Sequence, residues 1–247
     1  MLTNILKDLL LIFASRAPWS VWRAYFNTLL LLRGPIRAGV AKADLREFEA
    51  LTRAGAFQTN WFGGNVPHWL YVIERFGLAG KPLDVLEIGS WEGASSLFIL
   101  CALPLARLTC VDTWAGADEH QGTDALNAIE RNFLANTAPH ADRLTRFKGT
   151  SFAYFADCGA ARFDLIYIDG SHHADDVLID AIKGFEVLRL GGVLIFDDYL
   201  WRYYPRRADN PAAAINAFLR LKQGCFELAL VNWQVVIRKT GGERQAG

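Results

Sequence analysis

The chain has 247 residues, 26 Lys plus Arg against 26 Asp plus Glu, and is 52% hydrophobic and 21% charged. It is long enough for one large α/β core, and its balanced charge excludes a global field that would draw it to nucleic acid or another polyanion. Cys101, Cys110, Cys158 and Cys225 form no CxxC pair, so neither a disulfide framework nor a zinc knuckle is expected.

From Leu2 to about Arg33, apolar residues recur at helical spacing: Ile5, Leu6, Leu9, Ile12 and Phe13, then Trp19, Trp22, Phe26, Leu29 and Leu30. Pro18 separates two helices. Lys7, Asp8, Arg16, Arg23 and Arg33 interrupt the stretch, so no uncharged run approaches the ~20 residues of a spanning helix. No cleavable signal pattern is present, and a cytoplasmic protein is expected. The two helices are expected to pack on the main domain or on a second subunit of a homo-oligomer; an interfacial contact with a membrane is the alternative. A helix "KADLREFEALTRAG", a loop "FQTNWFGGNVP" and a helix "HWLYVIERFG" follow. Residues 1–80 thus read as a helical lid or oligomerisation segment ahead of a core over 81–240.

After Gly80, short apolar strands alternate with helices. The strands are "LDVLEIG" (83–89), "RLTCVD" (107–112), "LTRFK" (144–148), "FDLIYID" (163–169) and "GGVLIFDD" (191–198). Helices are expected over 94–103, around Asp124 to Asn136, and over 174–189. This is the pattern of a Rossmann-like, doubly wound, mostly parallel sheet with helices on both faces. The end differs: a helix "AAAINAFLRLKQG" precedes "CFELALV" and "WQVVIRK", joined by a very short turn near Asn232. Strands so closely linked pair antiparallel, giving seven strands in all.

Ligands of open α/β sheets bind beyond the carboxyl ends of the strands, where the chemistry-bearing residues of this chain gather. "EIGSWEGASS" places Glu87, Gly89, Gly93 and Ser95 between a strand and a helix, with glycines for a tight turn and a helix opening. Its spacing fits neither G-x-G-x-x-G nor a Walker loop nor G-x-S-x-G. Asp112 in "CVDTW" can take two ribose hydroxyls, or cap a helix. Gly149 to Ser151 form a small polar loop that suits an adenine edge, or an N-cap at Ser151. "FDLIYIDGSHHADDV" ends a strand in Asp169, His172 and His173. Asp197 and Asp198 end the next, and these three acids call for a divalent cation, or else cap helices or pair with Arg202, Arg206 or Arg207.

"VLEIGSWEG", "CVDTW", "FDLIYIDGSHHADDV" and "GGVLIFDDY", in this order and followed by a hairpin, resemble class I S-adenosylmethionine-dependent methyltransferases. The match is nearest to the small-molecule O-methyltransferases of the macrolide-sugar and catechol type, and runs over roughly residues 57–239. The resemblance implies that Glu87, Gly89, Trp91 and Ser95 contact the amino-acid part of the cofactor, and that Ser90 and Gly93 also belong to the cofactor site. Asp112 falls at the ribose, with Thr113 and Trp114 also in the cofactor site, Ser151 and Phe152 near the adenine, and Asp169 beside the sulfonium. It implies a Mg²⁺ on Asp169, Asp197 and Asp198, with His172 as general base and His173 as the fallback. The implied reaction is O-methylation of a small metabolite such as a sugar, polyketide or phenol. The alternatives are metal-independent methylation of nitrogen, carbon or a peptide, and a non-catalytic cofactor-binding protein. The N-terminal helices, Asn60 to Phe62 and "YLWRYYPRR" (199–207) are expected to frame the acceptor, or to pack at a dimer contact.

Overall fold

The computed structural model describes residues 2–32, 42–116, 126, 128–160 and 162–242. Seven strands form one sheet in the order β3-β2-β1-β4-β5-β7-β6. They are β1 Asp84–Ile88, β2 Arg107–Asp112, β3 Leu144–Lys148, β4 Phe163–Ile168, β5 Leu188–Phe196, β6 Phe226–Val231 and β7 Val235–Lys239. The helices are α1 Leu2–Ala14, α2 Trp19–Leu32, α3 Lys42–Ala54, α4 Val66–Phe76 and α5 Ala94–Ala102, then α6 Ile129–Thr137, α7 Ser151–Ala156, α8 Ala174–Val187 and α9 Pro211–Leu221. The mostly parallel sheet with its antiparallel end is as the sequence indicated. The helix expected from Asp124 is described from Ile129; Asp124 itself lies outside the described residues.

Contacts divide the chain into two compact units, Leu30–Thr150, and Met1–Leu29 with Ser151–Gly247. In the first, β1 pairs with β2 and β2 with β3, both parallel. Val85, Leu86 and Ile88 of β1 are buried, as are Leu108, Cys110 and Val111 of β2. A parallel strand covered on both faces has no polar side to alternate, which explains the near-continuous apolar runs. Strand β3 (LTRFK), at the sheet edge, is largely exposed and carries its charges there. Helix α4 starts with Pro67 in its first turn and stops at Gly77, whose left-handed φ of 57° closes the helix end.

In the second unit β4 and β5 run parallel, and β7 pairs antiparallel with both β5 and β6. Helix α8 buries Val177, Ala181 and Phe185. Its Gly184 lies where a Cβ would just touch Ile166, Ile168 and Leu194, so the helix sits close on β4 and β5. Helix α1 and helix α2 as far as Leu29 belong to this unit. Asn216 Nδ2 on α9 donates to Ser15 Oγ at 2.8 Å, and the Val231 N–H on β6 donates to Thr28 Oγ1 at 3.1 Å. No helix among the described residues is long and apolar enough to cross a membrane.

Candidate active site

The first group of site residues lies in the unit Leu30–Thr150. Strand β1 delivers Glu87 into the interior at 0% exposure. Glu87 Oε2 accepts from Ser90 Oγ at 2.8 Å and Cys110 Sγ at 3.3 Å, and also from Ser96 Oγ. Burial pushes its carboxyl pKa up, and the hydroxyls of Ser95, Ser96 and Ser90 pull it back. Its Oε1 is buried without a hydrogen-bond partner. An orphaned acceptor of this kind is costly, of order 1–3 kcal/mol, and is what a ligand donor would satisfy.

The loop after Glu87 is held by Asp112. Asp112 Oδ2 accepts from the backbone N–H of Ser90 at 2.7 Å and of Trp91 at 2.9 Å, and Oδ1 accepts from the Trp114 N–H at 2.7 Å. A carboxylate offers roughly four lone-pair positions. Three are spent on the backbone, so Asp112 organises the loop first and keeps room for about one further donor. Trp114 Nε1 donates to the Trp91 carbonyl at 3.0 Å, tying the two loops together again. Gly89 and Gly93 take left-handed φ of 83° and 85°. At Gly93 a Cβ would meet Phe133 Cδ2 and Thr137 Cγ2, both at 3.1 Å, so bare backbone is required where α5 begins. Thr113 lies between Asp112 and Trp114, and its Oγ1 accepts from the Ala115 N–H at 3.2 Å.

Sequence reasoning missed Glu92, although it stands inside the quoted loop. It is buried at 1% exposure, and its carboxylate accepts from the Gln58 N–H at 2.8 Å and from Asn132 Nδ2 at 2.8 Å. Asn136 adds a second clamp, accepting from the Ala56 N–H at 2.7 Å and donating to the Glu92 carbonyl at 2.8 Å. The segment 56–59 is thus fastened to the β1 loop. Beside it the ring of Trp61 lies 5.2 Å from that of Trp91. A charged residue followed by glycine was the available signal; that it turned inward could not be read from spacing.

The second group lies in the other unit, after β4 and β5. Asp169, His172 and Asp198 each direct one ligand atom to a common region, all within 4.8 Å of one another. His172 Nε2 is 2.8 Å from Asp198 Oδ2. A cavity of about 10 Å³, the size of one water or ion, is lined by Asp169, Ser171, His172 and Asp198 among others. The side chain of Asp197 takes another direction. Its Oδ2 accepts from Gln234 Nε2 at 2.8 Å and from the Tyr167 hydroxyl, and its Oδ1 accepts from the Asp198 N–H at 2.8 Å. Burial, then the neighbouring Asp198 charge, raise its pKa to about 6. The expected triad Asp169, Asp197 and Asp198 therefore differs from the clustered set, in which His172 stands in place of Asp197. The reason is local: Asp198 has φ of 57°, which turns the chain so that adjacent acids diverge.

Ser171 Oγ donates to Asp176 Oδ2 at 2.7 Å and accepts from the His173 N–H at 3.2 Å, fixing the start of α8. His173 is the residue before that helix, with its ring 5.2 Å from Tyr204. The His172 ring lies 4.4 Å from Trp201, and Trp201 stacks on Tyr203 at 5.5 Å. Of the arginines that could have neutralised the acids, Arg206 binds Asp209 and Arg202 faces Asp8. Ser151 opens α7 and Phe152 is 71% exposed. Among the described residues, the non-glycines with positive φ are Arg16, Trp91, Trp114 and Asp198. Three of the four follow β1, β2 and β5, at positions singled out from sequence. Each costs of order 1–2 kcal/mol, less for an aspartate, and such strain gathers at functional sites.

Residues 86–199 match the family described as "Methyltransferase domain". An uncharacterised protein of Acanthamoeba polyphaga mimivirus is 23% identical over 166 residues, 66% of this chain and 74% of that protein. Among solved structures, an O-methyltransferase from Bacillus cereus in complex with SAH is similar with a TM-score of 0.54 and 14% identity. It covers 89% of this chain and 99% of that one. MycE methyltransferase of the mycinamycin biosynthetic pathway, in complex with Mg, SAH and mycinamycin VI, is similar with a TM-score of 0.55 and 16% identity, over 83% of this chain and 57% of that one. A Corynebacterium glutamicum protein has a TM-score of 0.55 and 17% identity over 88% and 99%. Residues 86–199 are thus similar to the methyltransferase-domain family, and the chain shares a Rossmann-like fold with these solved structures.

Proposed function

We propose that the chain transfers the methyl group of S-adenosylmethionine to a hydroxyl of a small molecule, assisted by a divalent cation such as Mg²⁺. The observation that carries this reading is the convergence of Asp169, His172 and Asp198 within 4.8 Å after β4 and β5. Solved relatives bearing SAH, and one bearing Mg, support it.

The donor is assigned to the loops after β1 and β2. Glu87, with its orphaned buried oxygen, fits the cofactor's ammonium. The backbone of Gly89, Ser90, Trp91 and Gly93, with Ser95, shapes the amino-acid end. Asp112, Thr113 and Trp114 take the ribose side. The resemblance assigns Ser151 and Phe152, whose ring is exposed, to the adenine and Asp169 to the sulfonium.

The donor set at the acids fits a cation. Mg²⁺ is commonly held by one or two carboxylates and its own waters, and here Asp169 and Asp198 supply two. The Asp197 carboxylate, occupied by Tyr167 and Gln234, braces the turn that carries Asp198. A bound cation would supply a Lewis acid that lowers the pKa of the acceptor hydroxyl. His172 removes the hydroxyl proton. With Nε2–H donated to Asp198, the basic lone pair of a neutral imidazole is on Nδ1, and the carboxylate stabilises the imidazolium that forms. Methyl transfer is an in-line displacement, so alignment supplies much of the acceleration. Trp201, Tyr203 and Tyr204 suit a planar or glycosidic acceptor such as a phenol, polyketide or sugar.

A second reading rests on the same 2.8 Å contact: His172 and Asp198 form a base pair that could act without a metal. Mass-spectrometric screening of candidate acceptors for a methyl gain, with and without EDTA, separates the two. Turnover abolished by EDTA and restored by Mg²⁺ supports the cation-assisted reaction; turnover indifferent to EDTA supports the metal-free one.

A further inference from the structure

Helices α1 and α2 have two unlike faces. Their inner faces bury Leu11, Ile12, Val21, Tyr25 and Thr28, and the Tyr25 hydroxyl donates to Asp8 Oδ2 at 2.9 Å. The outer face of α1 carries Leu6, Leu10 and Phe13, spaced four and three residues apart on one stripe, at 60%, 58% and 73% exposure. The outer face of α2 carries Trp19 and Phe26, one stripe seven residues apart, at 79% and 48%. Scattered exposed apolar side chains are ordinary on a protein surface; an exposed apolar stripe on each of two consecutive helices points to a contact surface.

Charge decides which contact. The charged residues of these helices and their joint are Lys7, Asp8, Arg16 and Arg23. The sole acid, Asp8, is turned inward onto Tyr25 and toward Arg202, while Lys7, Arg16 and Arg23 are exposed. Arg220, also exposed, joins them by donating to the Arg16 carbonyl at 2.5 Å. Apposing two copies of this face would bring cations against cations with no outward acid on the helices to pair with them. With 13 and 14 residues the helices are too short to span a bilayer. Amphipathic helices with aromatic and leucine side chains on the outside and basic residues alongside lie in the plane of a membrane interface.

We propose that the outer face of α1 and α2 docks on an anionic phospholipid surface, with Leu10, Phe13 and Trp19 entering the headgroup boundary and Lys7, Arg16 and Arg23 meeting lipid phosphates. The test is co-sedimentation of the full chain with vesicles of phosphatidylcholine and phosphatidylglycerol, two to one, and with phosphatidylcholine alone. Binding is expected to the anionic vesicles and to weaken with salt. Each of Arg16→Gln and Arg23→Gln should weaken it about fivefold. The pair Phe13→Ser and Trp19→Ser should weaken it by more than about tenfold. The salt dependence of the unaltered chain stands even if a variant folds poorly. No sedimentation, equal sedimentation with phosphatidylcholine alone, or an oligomer in light scattering that the Phe13 and Trp19 substitutions dissociate would each overturn the proposal.

Discussion

His172 and Asp198 stand 2.8 Å apart although they leave different strands, β4 and β5, and Asp198 reaches its partner from a left-handed backbone with φ of 57°. Its neighbour Asp197 is directed to Tyr167 and Gln234 instead. Two adjacent carboxylates therefore serve different purposes.

Replacing them should separate activity from stability. Asp198→Asn leaves the fold intact but weakens Mn²⁺ or Mg²⁺ binding and lowers kcat by about 10²-fold or more, because the base loses its orienting carboxylate. Asp197→Asn instead turns an amide toward two donors and costs about 1–3 kcal/mol of stability. Denaturant unfolding beside cation titration of both variants distinguishes these outcomes; similar effects from both would contradict the division.

Asp112 accepts three backbone N–H groups from the loops after β1 and β2. Hydrogen bonds to a charged acceptor contribute about 1.5–3 kcal/mol each. Asp112→Asn should then weaken S-adenosylmethionine binding about 10- to 100-fold by calorimetry, and expose the Ser90 and Trp91 amides to faster hydrogen exchange. Unchanged exchange at these amides would show that the loop does not depend on the carboxylate.

Gly93 opens α5 with φ of 85° and has Phe133 and Thr137 at 3.1 Å from where a Cβ would stand. Gly93→Ala should cost about 1–3 kcal/mol in thermal or urea unfolding, from backbone strain and crowding together. A neutral result would mean that α6 yields at no cost.

Asp180 on α8 is buried with one carboxylate oxygen lacking a partner, and burial raises its pKa from 3.8 to about 7 against the pull of Ser151. A carboxyl whose folded pKa is raised binds its proton more tightly in the native state. Its contribution is most favourable below the unfolded pKa and is lost as pH rises through about 7. Asp180→Asn removes this loss. The variant should be more stable than the parent at pH ~8, by of order 2–4 kcal/mol, with the difference shrinking toward pH ~4. Parallel stability curves for the two proteins across that window would contradict the assignment.

The strands were legible because buried parallel strands must be apolar throughout, and "DVLEI", "FDLIYI" and "GGVLIF" have no other economical placement. The strand-end acids were legible as a group because each follows such a run. What each acid touches was not. The opposite directions of Asp197 and Asp198 depend on one backbone turn, and the inward clamp of Glu92 depends on Asn132, 40 residues away. The attachment of α1 to α9 through Ser15 and Asn216, 201 residues apart, leaves no local trace in sequence. Helical periodicity showed that α1 and α2 have an apolar face, whereas the exposed second stripe emerged only from their packing.

The loops organised by Glu87 and Asp112 are proposed to hold S-adenosylmethionine. Calorimetric titration of the cofactor into the folded chain tests this most directly. Saturable one-to-one binding that Asp112→Asn weakens is expected; absence of binding by protein shown to be folded would overturn the assignment.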